Sequence, residues 1–314
     1  MTSVTIPAGL IEKKVQTSRL KQNVLMTERQ EGVPVVLLHG NFSSAIWWRD
    51  VLLSLPDGFY GIAPDLRGYG WTEDLTIDAT RGMGDWVDDL ISLLDELKIE
   101  KAHFAGWSLA AGILYSLIVE HPDRILGITL EAPVSPYGFG GTKDIEGTPT
   151  NEVFSGCGGG VVNGDFVRLI KEGDRSTDDQ NSPRNVINGF YFKAPYECEH
   201  IEDFLTGALM EKMGDDRYPG DLVMVNEWPS VAPGNFGPIN AGSAKHVQGD
   251  ADKLINAAEK KPILWIRGAA DTIVSDTSFF DLGFLGQQGF VPGWPGEEAF
   301  PPQPMVSQTR AVLD

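Results

Sequence analysis

Cysteine is scarce in this sequence, and that scarcity excludes two kinds of protein. The 314 residues contain only Cys157 and Cys198. A small secreted domain held together by disulfides carries more cysteine than this, so two free thiols are expected. Neither cysteine stands in a Cys-x-x-Cys pair or at a metal-binding spacing from histidine. The sequence therefore predicts no metal centre, and no motif in it implies a cofactor.

Basic charge and long apolar runs are also in short supply. Lys and Arg number 25 against 44 Asp and Glu, which gives a formal net charge of −19. A chain this acidic repels phosphate backbones and anionic lipid, so we expect neither a nucleic-acid nor a membrane partner. No run approaches the roughly 18 apolar residues of a membrane span, and the opening MTSVTIPAGLIEKK lacks the pattern of a signal peptide. A cytoplasmic protein that acts on a small molecule is expected, with its oligomeric state left open.

The sequence does contain an alternation of strand-like and helix-like segments. Two antiparallel strands are expected within residues 10–27, followed by short apolar runs typical of strands buried on both faces. These runs lie at residues 34–38, 60–63, 102–105, 125–130 and 262–266. Helical periodicity at residues 84–97 and 109–120 falls between them and predicts an α/β fold with a mostly parallel sheet flanked by helices.

The alternation is interrupted once. It stops near residue 135 and resumes near residue 261, and the stretch between is rich in Gly, Pro, Asn and Asp. We interpret residues 1–135 as the N-terminal part of the core, residues 136–260 as an inserted lid or cap, and residues 261–314 as an incomplete C-terminal part of the core. Within the insert, residues 164–172 and 200–213 have helical patterns.

The strongest chemical signal is Gly106-Trp107-Ser108-Leu109-Ala110, which joins an apolar strand to a helix. This strand–turn–helix context is the one that a nucleophile elbow requires, with the central serine on a sharp, strained turn. The residues two positions either side of the serine must be small, and Gly106 and Ala110 are. The alternative is a serine that only caps a helix. We predict that Ser108 is a catalytic nucleophile.

A second loop, His39-Gly40-Asn41, follows the first buried strand. A backbone N–H of Asn41 or Phe42, together with that of Leu109, could hold the oxyanion that develops during acyl transfer. We expect His39 and Gly40 to shape this loop near the site.

The loop that follows the next strand contains Asp65 and Arg67 beside glycines. Their spacing predicts a charge-assisted pair that locks a tight turn, which is a structural role.

Four runs, VVLLHGNFSSAIWW, APDLRGYG, FAGWSLAAG and PILWIRGAADTIV, resemble the α/β-hydrolase superfamily in their order and spacing. The likeness is to the AB hydrolase-1 type, in the serine-nucleophile branch with a lid domain. It implies an eight-stranded, mostly parallel sheet and an esterase-like enzyme that cleaves an ester, thioester or related acyl bond through an acyl-serine intermediate. It implies no cofactor. Serine argues against haloalkane or epoxide opening, for which relatives use aspartate.

The same resemblance sets the chain order as serine, acid, histidine. Asp271 matches the position of the acid, and Glu131 is the alternative. No histidine follows Asp271: the five are His39, His103, His121, His200 and His246. The resemblance places the base in a loop after an eighth strand, whereas this sequence ends in a helical pattern at residues 305–313. We therefore expect a product that is truncated before the last strand and the base, and that is inactive or nearly so.

Two hypotheses stay open. The first is a serine hydrolase represented by a cut chain, with His246 as the first histidine to consider if the chain is whole. The second is a non-catalytic protein of the same fold that binds a small apolar ligand in a pocket under the lid. In both cases Trp107, Trp228 and Tyr191 are candidates to line the pocket.

Overall fold

A computed structural model of the protein describes residues 4–314. The strands in this range are β1 Leu10–Gln16, β2 Lys21–Thr27, β3 Val33–Leu38, β4 Phe59–Pro64, β5 Ala102–Trp107, β6 Ile125–Glu131, β7 Leu222–Met224, β8 Val231–Pro233 and β9 Ile263–Ile266. Seven of them form one sheet in the order β1-β2-β4-β3-β5-β6-β9, and β7 pairs with β8.

Helices separate most of these strands. They are α1 Arg49–Ser54, α2 Gly84–Glu96, α3 Ala110–Glu120, α4 Gly164–Glu172, α5 Pro183–Val186, α6 Ile201–Ala208, α7 Pro238–Ala241, α8 Asp250–Ile255, α9 Leu282–Gln287 and α10 Met305–Leu313. The helix expected over residues 200–213 is shorter and ends at Ala208. A π-helical turn, Ile187–Tyr191, follows α5.

The pairing confirms the predicted α/β-hydrolase fold with a mostly parallel sheet. Strands β1 and β2 are antiparallel, as is the β2–β4 pair. Every other neighbouring pair in the main sheet, from β4 through β3, β5 and β6 to β9, is parallel. Because the chain enters each of these strands in the same direction, the loops after β3, β4, β5, β6 and β9 emerge at one edge of the sheet.

The helix α3, which follows β5, lies in the centre of the core. All of its residues from Ala110 to Ile118 are buried, so this part of the helix is enclosed on every side. It contacts α2 and α8, and Ala251 and Leu254 of α8 belong to the same buried cluster. The last part of residues 136–260 therefore packs into the core.

At the other end of the sheet, β9 pairs with β6 and has no second neighbour among residues 4–314. Leu264 and Ile266 are 57% and 48% exposed at this edge. The described part of the sheet thus has seven strands. The resemblance implied eight.

The loop after β4 is fixed differently from the prediction. Asp65 accepts hydrogen bonds from the backbone N–H groups of Ala45 and Trp71 at 2.6 and 2.8 Å. Arg67 instead forms a two-point bond with Asp89 of α2, at 2.7 and 2.8 Å. The Asp65–Arg67 pair was therefore a wrong expectation. A carboxylate satisfied by backbone donors does not need the guanidinium, which reaches a buried partner on a helix that spacing alone cannot place.

Several of the buried apolar residues before α8 in the 136–260 segment form a separate, smaller apolar cluster. It is built from α4, the α5 region, α6 and the segment that follows, and its buried members are Phe42, Phe166, Ile170, Val186, Ile187, Leu205, Ala208 and Tyr218. Phe42 is the one residue of this set that comes from the N-terminal part. Among residues 4–314, no helix combines the length and apolar character needed to cross a bilayer.

Candidate active site

Ser108 sits where β5 gives way to α3, on a backbone that L-residues rarely adopt. Its φ is +55°, in the left-handed region. Its N–H donates to the carbonyl of Glu131 at 3.1 Å, and its own carbonyl accepts from the N–H groups of Ala111 and Val134, each at 3.1 Å. The turn is therefore anchored to β6 and to the start of α3, which leaves the serine side chain at the carboxyl edge of the sheet.

Small residues make this turn possible. A Cβ atom at Gly106 would lie 3.0 Å from Leu114 Cδ1 and 3.2 Å from the Cβ of Ala110. A Cβ atom at Gly40 would lie only 2.9 Å from the Cβ of Ser108. The loop after β3 thus packs directly on the elbow, and only glycine fits at that contact.

We call residues 39–43 the oxyanion loop, since they carry the candidate donors. Phe42 has a φ of +48°, an unfavourable conformation for a bulky residue, and its side chain is fully buried. Within residues 4–314, no hydrogen bond takes up the backbone N–H of Asn41, Phe42 or Leu109. Unpaired N–H groups of this kind are the donors that an oxyanion hole requires, so these three are the candidates beside Ser108.

His39 fastens the start of this loop. Its Nδ1 lies 2.8 Å from the carbonyl of Gly40 and 3.1 Å from Ser43 Oγ, while its Nε2 accepts the N–H of Leu66 at 3.0 Å. An accepting Nε2 places the ring proton on Nδ1, and burial lowers the pKa of the imidazole further. His39 is thus neutral and bridges the loops after β3 and β4.

The two candidate acids lie at the same edge of the sheet. Asp271 follows the end of β9, and its Oδ1 accepts the N–H groups of Ile273 and Val274 at 2.8 and 3.0 Å. Glu131 is the last residue of β6 and pairs with Trp107 in register. Its side chain keeps contact with solvent, yet neighbouring protein atoms desolvate the carboxyl enough to raise its pKa.

None of the five histidines hydrogen-bonds to Ser108 in the described structure. The Nε2 of His246 lies 2.7 Å from the carbonyl of Gly234, and His200 lies 3.5 Å from Asp50. His103 is the second residue of the strand β5, at the opposite end from the elbow, and His121 caps the far end of α3.

Aromatic side chains cover the elbow. The Trp107 ring lies 5.8 Å from Tyr191, and Trp47 lies 5.7 Å from Trp107 and 5.4 Å from Tyr191. Trp228 takes part in other contacts: its ring packs on Phe300 at 4.8 Å, and its Nε1 donates to the carbonyl of Pro292. The structure therefore brings together two of the three pocket candidates, plus Trp47.

Sequence reasoning missed a buried polar group behind the oxyanion loop. Tyr69 and Tyr191 donate to Asn41. The charge of the buried Glu211 raises the pKa of both phenols, and neither of its carboxyl oxygens has a hydrogen-bond partner among residues 4–314. Tyr69 could have been singled out from its place in the GYG run, whereas nothing in the sequence around Glu211 signals burial.

No group of three or more His, Cys, Asp or Glu side chains within the described range is arranged to hold a metal ion. Both cysteines are free, with Cys157 buried and Cys198 half-buried.

Comparison with known proteins follows this geometry. Residues 33–147 match the family described as alpha/beta hydrolase fold. Over 102 residues the chain is 35% identical to the 2-hydroxymuconate semialdehyde hydrolase of Pseudomonas sp. strain CF600, covering 32% of this chain and 36% of that protein. Over 95 residues it is 41% identical to epoxide hydrolase 3 of Siraitia grosvenorii, covering 30% of each. These matches span about a third of each relative.

Solved structures resemble the chain over most of its length. A serine hydrolase from Cycloclasticus zankles has a TM-score of 0.55 at 18% identity and covers 90% of this chain and 87% of its own. The 2-hydroxy-6-oxo-6-phenylhexa-2,4-dienoate hydrolase of Rhodococcus sp. strain RHA1 has a TM-score of 0.53 at 20% identity and covers 84% and 83%. At these identities the likeness establishes a shared fold.

Proposed function

We propose that this chain is a serine hydrolase of the α/β-hydrolase superfamily built around Ser108, which its fold and the family match over residues 33–147 support. The observation that carries the proposal is the left-handed backbone of Ser108 at the junction of β5 and α3. Such a conformation costs about 1–3 kcal/mol and persists where the surrounding structure enforces it, most often at functional sites.

The proposed reaction is acyl transfer to Ser108 followed by hydrolysis. Its Oγ forms a bond to the acyl carbon while its proton passes to a base. The N–H of Leu109 and that of Asn41 or Phe42 hold the oxyanion. Collapse of this intermediate breaks the bond to the leaving group, which takes up the proton. Water then attacks the acyl-serine in the same way, which releases the acid and restores the hydroxyl.

We assign Asp271 as the acid that orients the base, with Glu131 as the alternative. Asp271 has one carboxyl oxygen tied to local N–H groups, which fixes the carboxylate in place at the edge of the sheet. A serine hydroxyl without a base is a poor nucleophile near neutral pH. Because no histidine hydrogen-bonds to Ser108 here, the 314-residue chain by itself should turn over slowly.

The proposed substrate class follows from the serine nucleophile and from the apolar side chains that surround it. An ester, thioester or related acyl bond suits an oxygen nucleophile with oxyanion donors beside it. The matched relatives are named as a semialdehyde hydrolase and an epoxide hydrolase. Serine at the elbow favours the chemistry of a semialdehyde hydrolase over that of an epoxide hydrolase. Trp47, Trp107 and Tyr191 would form apolar walls for the acyl group, beneath a lid formed by the 136–260 segment.

A second candidate is a binding protein that uses the same pocket without cleaving its ligand. The absence of a histidine on Ser108 in the described structure favours it. The two functions differ in one measurable property, which is whether the Ser108 hydroxyl can be made to react.

External imidazole provides that measurement, because it can take the place of a base that the site does not supply. The chain is incubated with a fluorophosphonate probe, with and without imidazole, at pH 7.5. We expect slow labelling alone, faster labelling with imidazole and none in Ser108→Ala. Ser54→Ala, on an exposed position of α1, is the matched control and should label as the parent does.

Equal labelling of the parent and Ser108→Ala would exclude the assigned nucleophile. No labelling under either condition, together with saturable quenching of tryptophan fluorescence by anilinonaphthalene sulfonate, would favour the binding function.

A further inference from the structure

Two tyrosine phenols donate hydrogen bonds to Asn41 of the oxyanion loop. Tyr69 donates to Asn41 Oδ1 at 3.0 Å, and Tyr191 donates to the backbone carbonyl of Asn41 at 3.0 Å. Tyr69 belongs to the loop after β4, whereas Tyr191 belongs to the proposed lid. Two parts of the chain that are distant in sequence therefore grip one residue beside the nucleophile.

Both phenols are suited to remain donors. Burial raises the pKa of Tyr69 and Tyr191 above the ordinary tyrosine range, and Glu211 acts in the same direction. The hydroxyl groups thus keep their protons throughout the pH range in which the protein is folded and a hydrolase would work.

The next residue of the loop is strained and anchored by the same lid. Phe42 adopts a φ of +48°. Its ring packs edge-on against Phe166 of α4 at 4.9 Å, inside the apolar cluster of the lid. Burial of this phenylalanine ring offsets the cost of the left-handed backbone.

The carbonyl that Tyr191 binds and the N–H of Phe42 are parts of one peptide group. Because a peptide group is planar, fixing the carbonyl of Asn41 also fixes the direction of the Phe42 N–H. That N–H is one of the candidate oxyanion donors, and within residues 4–314 it has no other hydrogen bond. A donor is effective only if it is held in place before the charge develops.

We propose that the Tyr191 hydroxyl is a positioning group: it reaches from the lid to hold the Asn41–Phe42 peptide, so that a seated lid completes the oxyanion hole. The inference rests on the proposed function and adds to it a residue that acts through the loop without contacting the reacting atoms. It also makes the lid a structural part of the donor set as well as a cover for the pocket.

Tyr191→Phe tests this with a single deleted oxygen. Tyr196→Phe is the matched control, because Tyr196 is a lid tyrosine that is 60% exposed and has no contact with Asn41. Tyr69→Phe, which removes the donor from the core side, gives an independent variant if Tyr191→Phe folds poorly. The first readout is deuterium exchange of the peptide that covers the oxyanion loop, which needs no activity. Loss of one hydrogen bond should speed exchange there by about two- to tenfold, and the control should not change it.

The second readout is the imidazole-assisted labelling of Ser108, measured over a range of probe concentrations. We expect Tyr191→Phe to lower the limiting rate about tenfold and to leave the half-saturating concentration nearly unchanged. Complete loss of one oxyanion donor costs about 10²–10³, and a loosened donor should cost less. A merely structural role would alter the stability of the protein without lowering the limiting rate at an unchanged half-saturating concentration.

The outcomes separate the two proposals. If the parent chain is never labelled but Tyr191→Phe speeds exchange of the loop, the positioning holds and the hydrolase function fails. If the parent is labelled and the variant matches it in both exchange and limiting rate, the positioning by Tyr191 is wrong.

Discussion

Glu211 gives the sharpest test of the electrostatics of the structure. Its carboxyl is buried behind the oxyanion loop, and neither oxygen has a donor within residues 4–314. Burial raises the pKa of this carboxyl well above its ordinary range, and it outweighs the opposing charge of Lys212, whose Nζ donates to the carbonyl of Gly70. The folded protein therefore favours the protonated form of Glu211.

The perturbation is Glu211→Gln, which keeps the size of the side chain and removes its titration. For an acid whose pKa is raised on folding, the stability contribution is fully present below the unfolded pKa and is lost as pH rises through the folded pKa. At pH 4 the variant and the parent should thus be nearly equal. At higher pH the parent should fall behind by about 1.4 kcal/mol for each unit by which the folded pKa exceeds the unfolded one.

Urea denaturation at pH 4, 6, 7.5 and 9 measures the difference in the free energy of unfolding. Glu28→Gln, on the exposed surface, is the control for the loss of one charge from a chain of net charge −19. An advantage of the variant that grows with pH supports the reasoning. A parent that gains on the variant as pH rises would refute it, since Glu211 would then be ionised and paired with a cation.

The remaining predictions concern the elbow, the acid and the thiols. Gly40→Ala should abolish imidazole-assisted labelling, because the added Cβ would lie 2.9 Å from the Cβ of Ser108; unchanged labelling would contradict the packing of the loop on the elbow. Asp271→Asn should slow that labelling by less than the about 10⁴-fold seen for a protease with its own histidine, since free imidazole can reorient, and should barely change the melting temperature. An unchanged rate would transfer the role to Glu131. Burial raises the pKa of Cys157 to about 12, so a thiol reagent at pH 8 should modify the half-buried Cys198 in the native protein and reach Cys157 only after unfolding; native modification of both would contradict the burial.

The order of elements could be derived from the sequence because it depends on local pattern. Runs such as residues 34–38 are too short and too uniformly apolar for anything but a strand buried on both faces, and the structure places β3 there. Because helices alternate with these strands, each helix can cross back over the sheet, and this connection makes neighbouring strands parallel. The small residues Gly106 and Ala110 around Ser108 predicted a tight turn for a steric reason that operates within a few residues.

Contacts between distant parts of the chain could not be derived in this way. The sequence predicted that Arg67 pairs with Asp65, but the three-dimensional packing brings Asp89 of α2 to it. Trp228 was predicted as a candidate pocket residue from its place in the inserted segment, and its packing on Phe300 could not be derived from the sequence.

The candidate site also combines features that follow from local sequence with features that depend on long-range contacts. The sequence by itself predicted Ser108 as the nucleophile, the loop beside it and the edge of the sheet where both lie, because each follows from residues that are neighbours along the chain. Only the tertiary structure decided that Tyr191 holds Asn41 and that Glu211 is buried behind it. Burial and pairing of a polar side chain depend on which surfaces come into contact when the 136–260 segment packs on the core. Local sequence patterns do not specify these long-range contacts.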